Sequence, residues 1–340
     1  MEDEPFMTRS SKDMRDAPRA SSDAQAAGVV ATIGTINFDR IIAENGETYE
    51  SLGGILYNGL VLAAIFEGTK HRVRLHARLG PEHLEIARAL FEGFPAADLG
   101  GLIADARGTN ISRLDYSRGP DRAEDVELRV PPLSEEDLRG AQKASVILVN
   151  MISGQDVDRE TFARLRSGSS ARFFLDIQAL ARTLTSPRTS RSIPEWREWT
   201  ALFHTVRGNE KEVASFAGCP GNPETAARRI LEAGAEEVLV TRGAEGSRRF
   251  SNVTGAIREE TIDAVPRSGP LETTGCGDAY DAAVCAAWMF GLSGDDAARF
   301  ASFVGSEVAG VFGLEGLRQL RGIRARAARF DARFASLNPM

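Results

Sequence analysis

Short apolar runs alternate with longer amphipathic runs over most of this sequence. A short apolar run that ends in glycine or a polar residue indicates a buried strand, whereas apolar residues three and four apart indicate a helix. Strands that alternate with helices are typical of a parallel sheet covered by its crossover helices. We therefore predict a doubly wound α/β sandwich. The predicted strands are residues 28–34, 73–79, 145–150, 172–176, 201–206 and 237–241, and the predicted helices are residues 53–68, 82–94, 134–142, 156–165, 210–216, 223–233, 278–291, 295–311 and 315–334.

Two segments interrupt this alternation, and each is predicted to be a β-hairpin. In residues 41–52, the dipeptide Asn45-Gly46 lies between two strand-like runs, and Asn-Gly is a strong signal for a tight hairpin turn. In residues 107–130, two runs of alternating polar and apolar residues flank the turn-rich segment 118–121. Together the two hairpins would form a small sheet separate from the main one.

The composition restricts the classes of function. Residues 1–27 are polar, with almost no large apolar side chains, and we expect a disordered or loosely docked tail followed by one domain over residues 28–340. The net charge is −7, and no basic stripe indicates binding to nucleic acid or an anionic membrane. No apolar run approaches the roughly 18 residues of a membrane span. The 3 cysteines lack metal-ligand spacing and fit a reducing compartment. We expect a cytoplasmic protein with no nucleic-acid or membrane partner.

The segment ETTGCGDAYD joins a glycine-containing turn to the start of an apolar helix. Gly275 and Gly277 flank Cys276, and Asp278 follows them. The unpaired N–H groups of a first helical turn attract an anion, and glycine lets the backbone approach it closely. A carboxylate beside such a cradle can accept the proton of a hydroxyl group that attacks a phosphoryl group. Aspartate is also a favoured helix cap and glycine a favoured turn residue, so the segment alone fits a purely structural role equally well.

Five segments, in order along the chain, resemble the ribokinase-like (PfkB) carbohydrate kinases. TTGCGD resembles their C-terminal signature, and Gly53-Gly54, followed after three residues by Asn58, resembles the N-terminal one. GTINFD resembles the first strand and substrate loop, RGNEKE resembles the Asn-x-x-Glu element, and VTRGAEG resembles the Thr-x-Gly-x-x-Gly phosphate loop. The resemblance implies a three-layer α/β/α sandwich in which the two hairpins form a lid.

This resemblance also implies an activity: an ATP-dependent kinase that phosphorylates a hydroxyl group of a sugar, cyclitol or nucleoside. Asp278 would be the general base, and the backbone N–H groups of Gly275, Cys276 and Gly277 would stabilise charge on the transferred group. Glu212 would hold Mg²⁺ through water. The implied substrate-binding residues are Asn37, Asp39, Gly53, Gly54 and Asn58, and the implied nucleotide-binding residues are Asn209, Thr241, Gly243 and Gly246.

The chain departs from the family pattern in three places. Bulky Ile55, Leu56 and Tyr57 follow the glycine pair, which predicts a less polar acceptor pocket than that of ribokinase. Glu272 replaces the usual aspartate, and the resemblance leaves open whether a monovalent cation binds there. Cys276 replaces the usual alanine, and its thiol is either reactive at the helix N-terminus or buried and inert.

Three further expectations concern the neighbouring segments. Asp176 and Gln178 follow a predicted strand and resemble an active-site segment of some family members, so both are additional candidates. Exposed edges of the lid sheet could pair between two copies of the chain and make a homodimer. The alternative function is a ligand-sensing or regulatory protein of the same fold with little or no kinase turnover, against which Asp278 and the glycine turn argue.

Overall fold

The computed structural model of this chain describes residues 27–43, 45–115, 117, 123–269 and 271–337. The predicted N-terminal tail, residues 1–27, lies outside the described residues except for Ala27. The strands are β1 (Val29–Gly34), β2 (Asn37–Ile42), β3 (Thr48–Leu52), β4 (Arg72–Leu79), β5 (Ala97–Ala104), β6 (Asn110–Asp115), β7 (Ala123–Glu127), β8 (Val146–Asn150), β9 (Arg172–Asp176), β10 (Thr205–Asn209), β11 (Glu237–Thr241), β12 (Ser247–Val253) and β13 (Ala256–Ile262), and the α-helices are α1 (Leu56–Ile65), α2 (Pro81–Ala89), α3 (Arg159–Ser167), α4 (Trp196–Thr200), α5 (Glu210–Phe216), α6 (Pro223–Glu232), α7 (Cys276–Met289), α8 (Gly294–Ala309), α9 (Gly313–Gly316) and α10 (Ile323–Phe330).

A large mixed sheet forms the centre of the described chain, in the strand order β13-β12-β11-β10-β9-β8-β1-β4-β5. The strands from β11 to β5 in this order pair in parallel, whereas β12 and β13 run antiparallel at one end. Parallel strands need crossover connections, and the intervening helices supply them. The predicted α/β architecture is confirmed.

Alternate side chains of the central strands enter two separate apolar cores, one on each face of the sheet. In β8, Val146 and Leu148 belong to the core that contains α1, α7 and α8. Ile147 and Val149 belong to the opposite core, which contains side chains of α3, α5 and α6. The sheet is thus covered on both faces, which explains why its central strands read as continuous apolar runs.

A second, smaller sheet has the strand order β3-β2-β6-β7. Strands β2 and β3 are antiparallel, as are β6 and β7, and β2 joins the two pairs through a parallel pairing with β6. The outer edge of β7 contacts a loop of the main body: the N–H of Arg188 donates to the carbonyl of Glu124 at 2.9 Å, and the N–H of Val126 donates to the Ser186 hydroxyl at 3.3 Å. Pairing between two copies through this sheet, which stays a prediction, would therefore use the β3 edge.

Three predicted elements differ from the structure. The strand predicted at 201–206 begins later in the structure and corresponds to β10, Thr205–Asn209. Helix α4 extends to Thr200 and is capped by Ala201, so the first predicted strand residues lie in the turn after this helix. The helix predicted at 134–142 is a series of turns that ends at Gly140, whose φ of +94° lies in the left-handed region. The helix predicted at 315–334 is broken into α9, α10 and short 3₁₀ turns, with Gly322 at φ +71° before α10.

No single described helix is long and apolar enough to cross a membrane; α8 passes on length and composition only when it is joined, across a bend of 119°, to residues 313–320.

Candidate active site

The carboxyl ends of neighbouring parallel strands meet at one edge of the large sheet. Gly34 of β1 is in register with Asn150 of β8, which is in turn in register with Asp176 of β9. Further along, Asn209 of β10 is in register with Thr241 of β11. Ligands of open α/β sheets bind outside this edge. A row of polar side chains here therefore marks the candidate site.

The glycine turn sets Asp278 at the start of α7. The helix begins at Cys276, directly after Gly275, which has a φ of +80°. A Cβ at position 275 would lie 2.1 Å from a ring carbon of Tyr57, and a Cβ at 277 would lie 2.7 Å from the guanidinium of Arg207. Glycine suits the left-handed backbone at 275, and at both positions the lack of a side chain permits this close packing.

Two side-chain amides hold the carboxylate of Asp278. Asn150 donates from Nδ2 to Oδ1 at 2.7 Å, and Gln178 donates from Nε2 to the same oxygen at 3.0 Å. Gln178 adopts a φ of +31°, a strained conformation for a residue with a side chain, and its Nε2 also donates to Asp176 at 2.9 Å. Strain of this kind persists where the surroundings fix it, often at functional sites.

Burial raises the pKa of Asp278 to about 6, and the nearby Asp176 adds to the rise. The hydrogen bonds from Asn150 and Gln178 and the charge of Arg207 lower the pKa and so limit the rise. The side chain is half-buried rather than enclosed. Asp278 is therefore a partly accessible carboxylate that is ionised near neutral pH but more basic than a solvated aspartate.

The predicted substrate residues of the N-terminal half form one unit. The N–H of Gly53 donates to the carbonyl of Asn37 at 2.9 Å, and a Cβ at 53 would lie 2.1 Å from Oδ2 of Asp39. Gly54 has a φ of +67°, and a Cβ there would lie 2.1 Å from the carbonyl of Thr35. The glycine pair thus lets α1 begin directly against the start of strand β2, which carries Asn37 and Asp39.

Asn58 connects this unit to Asp278. Its Nδ2 donates to the carbonyl of Asp278 at 2.9 Å, and its Oδ1 accepts from Nδ2 of Asn150 at 3.0 Å. Asn37 in turn donates to the hydroxyl of Ser112, in strand β6 of the small sheet, at 3.0 Å. The structure therefore brings the predicted substrate residues, two of which lie in the small sheet, close to Asp278.

The predicted donor-binding residues lie further along the same edge. Asn209 and Glu212 cap α5 reciprocally: Oδ1 of Asn209 accepts the N–H of Glu212 at 2.9 Å, and Oε2 of Glu212 accepts the N–H of Asn209 at 2.8 Å. Burial, with a contribution from Asp176, raises the pKa of Glu212. The helix-capping role that these two residue types favour is thus present. Glu212 is half-buried.

Gly243 and Gly246 form a 3₁₀ turn after β11, both with positive φ. A Cβ at 243 would meet no heavy atom within 4 Å, so this part of the turn is open. Among the described residues, no hydrogen bond or ion pair joins either glycine to Asp278. Thr241, at the end of β11, accepts a hydrogen bond on its Oγ1 from Nη2 of Arg207 at 3.0 Å.

Burial raises the pKa of Cys276 to about 11, and the charges of Asp278 and Glu272 act in the same direction. The thiol contacts the carbonyl of Glu272 at 3.6 Å. Of the two alternatives for this residue, the structure supports the inert one. The N–H of Cys276 donates to the carbonyl of Thr273 at 3.2 Å, so it would exchange that partner to bind a phosphoryl oxygen.

The bulky Ile55 and Leu56 are fully buried in the core.

Sequence reasoning missed three residues of this site. Asn150 ends a predicted strand, Arg207 is a cation among the buried residues of β10, and Asp281 lies one helical turn after Asp278 in an alanine-rich helix. A charged residue in a segment that is otherwise buried needs a partner, and that was the available signal. Nε of Arg207 lies 3.4 Å from Oδ1 of Asp281.

Residues 167–317 match the model of the pfkB family carbohydrate kinases. The resemblance to the PfkB family is thereby confirmed. The PfkB match includes the glycine turn, Asp278 and the donor-side residues, whereas the glycine pair at 53 and 54 lies outside it. No curated protein matches the sequence.

Several solved structures have similar folds. A sulfate complex of a pyrophosphate-dependent kinase in the ribokinase family has a TM-score of 0.71 at 20% identity, covering 85% of this chain and 99% of that one. A pyrophosphate-dependent kinase of that family with a pyrophosphate analog and myo-inositol has a TM-score of 0.69 at 18% identity, covering 85% and 99%. Arabidopsis thaliana ribokinase with ribose and ATP has a TM-score of 0.67 at 18% identity, covering 87% and 99%. The fold is ribokinase-like, and with the PfkB match these findings support a carbohydrate kinase.

Proposed function

We propose that this protein transfers the terminal phosphoryl group of ATP to a hydroxyl group of a small polyol, a sugar, cyclitol or nucleoside, with Asp278 as general base. One observation carries the proposal. A half-buried carboxylate with a pKa raised to about 6 stands in the first turn of α7, directly after the glycine turn, and two amides fix its orientation. A base held in place beside a helix N-terminus is what phosphoryl transfer to an alcohol requires.

The chemistry follows from the positions of the groups. Within the described residues, both hydrogen bonds to the Asp278 carboxylate use Oδ1, so Oδ2 is the oxygen that accepts the proton of the acceptor hydroxyl. The hydroxyl oxygen attacks the terminal phosphorus as that proton leaves, and the bond from phosphorus to the bridging oxygen breaks to release ADP. Backbone N–H groups of the turn 275–277 and the partial positive charge of the helix N-terminus stabilise the charge that develops on the phosphoryl oxygens.

The acceptor would bind between the Asn37–Gly54 unit and Asp278. Asn37 and Asn150 each have a buried carbonyl oxygen, Oδ1, without a hydrogen-bond partner among the described residues. A buried acceptor without a partner is costly, and a ligand hydroxyl can satisfy it. The small sheet carries both Asn37 and Asp39, and the bond from Asn37 to Ser112 lies within it. The sheet is thus placed to cover the acceptor and exclude water, which would otherwise hydrolyse the donor.

The donor side fits a divalent cation bound mainly through water. No group of three or more His, Cys, Asp or Glu side chains in the described part of the chain is arranged to hold a metal directly. Mg²⁺ commonly uses one or two carboxylates, with water and substrate phosphates completing its shell, and Glu212 beside Asn209 offers one carboxylate. The cation would neutralise charge on the donor phosphates, and Thr241, Gly243 and Gly246 would contact those phosphates.

Pyrophosphate is the second candidate donor, since two of the similar structures are pyrophosphate-dependent kinases. The decisive experiment incubates the full chain and Mg²⁺ with sugars, cyclitols and nucleosides, once with ATP and once with pyrophosphate, and detects ADP, phosphate and the phosphorylated acceptor. We expect acceptor-dependent product with one donor, and Asp278→Asn to lower kcat by about 100-fold or more, the scale of a general base. Product formed by Asp278→Asn at the wild-type rate would refute the role of the base. Binding of a polyol without any product would favour the ligand-sensing alternative.

A further inference from the structure

One buried cation joins four segments of the candidate site. Arg207, in the middle of β10, is 5% exposed. Its Nη1 donates to both carboxylate oxygens of Asp176, in β9, at 3.1 Å. Its Nη2 donates to Oγ1 of Thr241, at the end of β11, at 3.0 Å, and its Nε lies 3.4 Å from Oδ1 of Asp281, in α7. Only an arginine offers donors on three sides in one plane, so a lysine could not reproduce this arrangement.

The same guanidinium lies directly against the glycine turn. A Cβ at position 277 would lie 2.7 Å from Nη2 and 3.1 Å from Nη1 of Arg207. Any side chain at 277 would displace the cation or the turn. The backbone N–H groups that face the transferred phosphoryl group in the proposed reaction thus belong to a turn that packs on a fixed positive charge.

Asp281, on the helix that carries the base, is a second buried carboxylate beside the guanidinium of Arg207. The residue is fully buried, and neither carboxylate oxygen has a hydrogen-bond partner among the described residues. Burial raises the pKa of Asp281 well above its usual range, and the charge of Arg207 opposes the rise. Burial by itself would lower the pKa of Arg207, but the carboxylates of Asp281 and Asp176 outweigh it and raise the pKa. The guanidinium therefore stays charged, and Asp281 ties it to the helix that carries the base.

We propose that Arg207 is a positioning residue for phosphoryl transfer, which fixes the glycine turn and Asp278 against the edge of the sheet and supplies a permanent positive charge behind the turn. This inference rests on the proposed function. A preorganised charge next to developing negative charge needs no reorganisation during the reaction, and this makes it effective in a site that excludes water. The turn and the base must also hold their relative position closely, since small displacements of reacting groups are costly.

The test compares Arg207→Met and Arg207→Lys with a matched control. Arg249 is also an arginine of the large sheet that pairs with three carboxylates, those of Glu237, Glu260 and Asp295, but it lies outside the candidate site. We expect Arg207→Met to lower kcat by about 100-fold, the scale of one preorganised donor, with the KM of the acceptor nearly unchanged. Arg207→Lys should recover part of the loss, and Arg249→Met should keep the wild-type kcat. A folded Arg207→Met variant with the wild-type kcat would overturn the inference. If Arg207→Met does not fold, Arg207→Lys decides in the same way, with a clear loss of kcat supporting the inference and none overturning it.

Hydrogen exchange separates this inference from the proposed function, because it needs no turnover. In Arg207→Met we expect the amides of residues 276–280 to exchange about 10-fold faster than in Arg249→Met, relative to the amides of α1 in each protein. Equal exchange in the two variants would exclude a positioning role, whatever the wild-type activity. An absence of any phosphorylated product from the wild type would count against the proposed function alone.

Discussion

Asn150 donates a 2.7 Å hydrogen bond from its Nδ2 to Oδ1 of Asp278, across 128 residues of sequence. The same amide donates to Asn58, which in turn holds the backbone carbonyl of Asp278. Asn150, at the end of β8, thus orients the carboxylate of Asp278 and also binds Asn58. Its own Oδ1 is buried without a hydrogen-bond partner among the described residues. In the proposed reaction, Asn150 therefore couples the orientation of the base to the binding of an acceptor hydroxyl.

The rate should depend on the ionisation of Asp278. Its pKa is raised to about 6, so the base is protonated and inactive at lower pH. We expect kcat/KM to be constant above this value on the acidic side of the profile and to fall about tenfold for each pH unit below it. The measurement is a pH–rate profile with a saturating donor, limited to the range in which the fold is retained. An acidic limb at the pKa of a solvated aspartate would contradict the burial that raises the pKa.

Removal of the Asn150 side chain should move that limb upwards. The hydrogen bond from Asn150 stabilises the ionised form of Asp278 and lowers its pKa, so its loss raises the pKa further. In Asn150→Ala we expect the acidic limb to shift by roughly one pH unit to higher pH, and kcat at its plateau to fall because the base is less well oriented. The same profile measures both effects. An unshifted limb would mean that the bond does not act on the charged form.

Asp278 should also reduce the stability of the folded protein at neutral pH. Its folded pKa lies above that of an exposed aspartate, so folding favours the protonated form, and ionisation costs stability once the pH rises through the folded value. Asp278→Asn keeps the oxygen that accepts from Asn150 and Gln178 but carries no charge. We expect a higher Tm for Asp278→Asn than for the wild type at about pH 8, and a difference that shrinks towards about pH 4, where both side chains are neutral. A constant or reversed difference in thermal unfolding would contradict this.

The sequence pattern predicts more of the sheet than of its site. β11 and α5 match their predicted bounds because each combines the right periodicity with a clear end, such as the Asn209 cap before α5. The glycine-rich β5 and the antiparallel β12 and β13 escaped prediction, because their pairing depends on neighbours that are distant in sequence. Arg207 illustrates the same limit within the site. Its type and position are visible in the sequence, but its partners come from three other segments, and periodicity carries no information about those contacts.

Cys276 should resist alkylation despite its place at the start of a helix. The thiolate is the reactive form, and a pKa raised to about 11 leaves roughly one thiol in a thousand ionised at about pH 8. We expect iodoacetamide to leave Cys276 unmodified and the enzyme active over a period in which a free thiol of a small peptide reacts completely. Peptide mass spectrometry locates the modified cysteines, and a parallel activity assay reports their effect. Rapid loss of activity together with modification of Cys276 would show that the thiol is exposed and ionised.

Gly277→Ala tests the contact between the glycine turn and Arg207 from the other side. The added methyl group would lie 2.7 Å from the guanidinium, so the cation or the turn must move. We expect kcat to fall by roughly tenfold to 100-fold with little change in the KM of the acceptor, because the transferred group loses its fixed donors. Gly305→Ala, in α8, is the control, since its Cβ would meet only the carbonyl of Cys276 at an ordinary 3.8 Å.

A double-mutant cycle then decides whether the two positions act together. If Gly277→Ala acts by displacing the guanidinium, its effect on kcat should largely disappear in an Arg207→Met background, where there is no cation to displace. Independent effects would multiply instead, and they would assign the cost of the methyl group to the backbone of the turn. The cycle thereby separates a turn that is held by Arg207 from one that merely lies next to it.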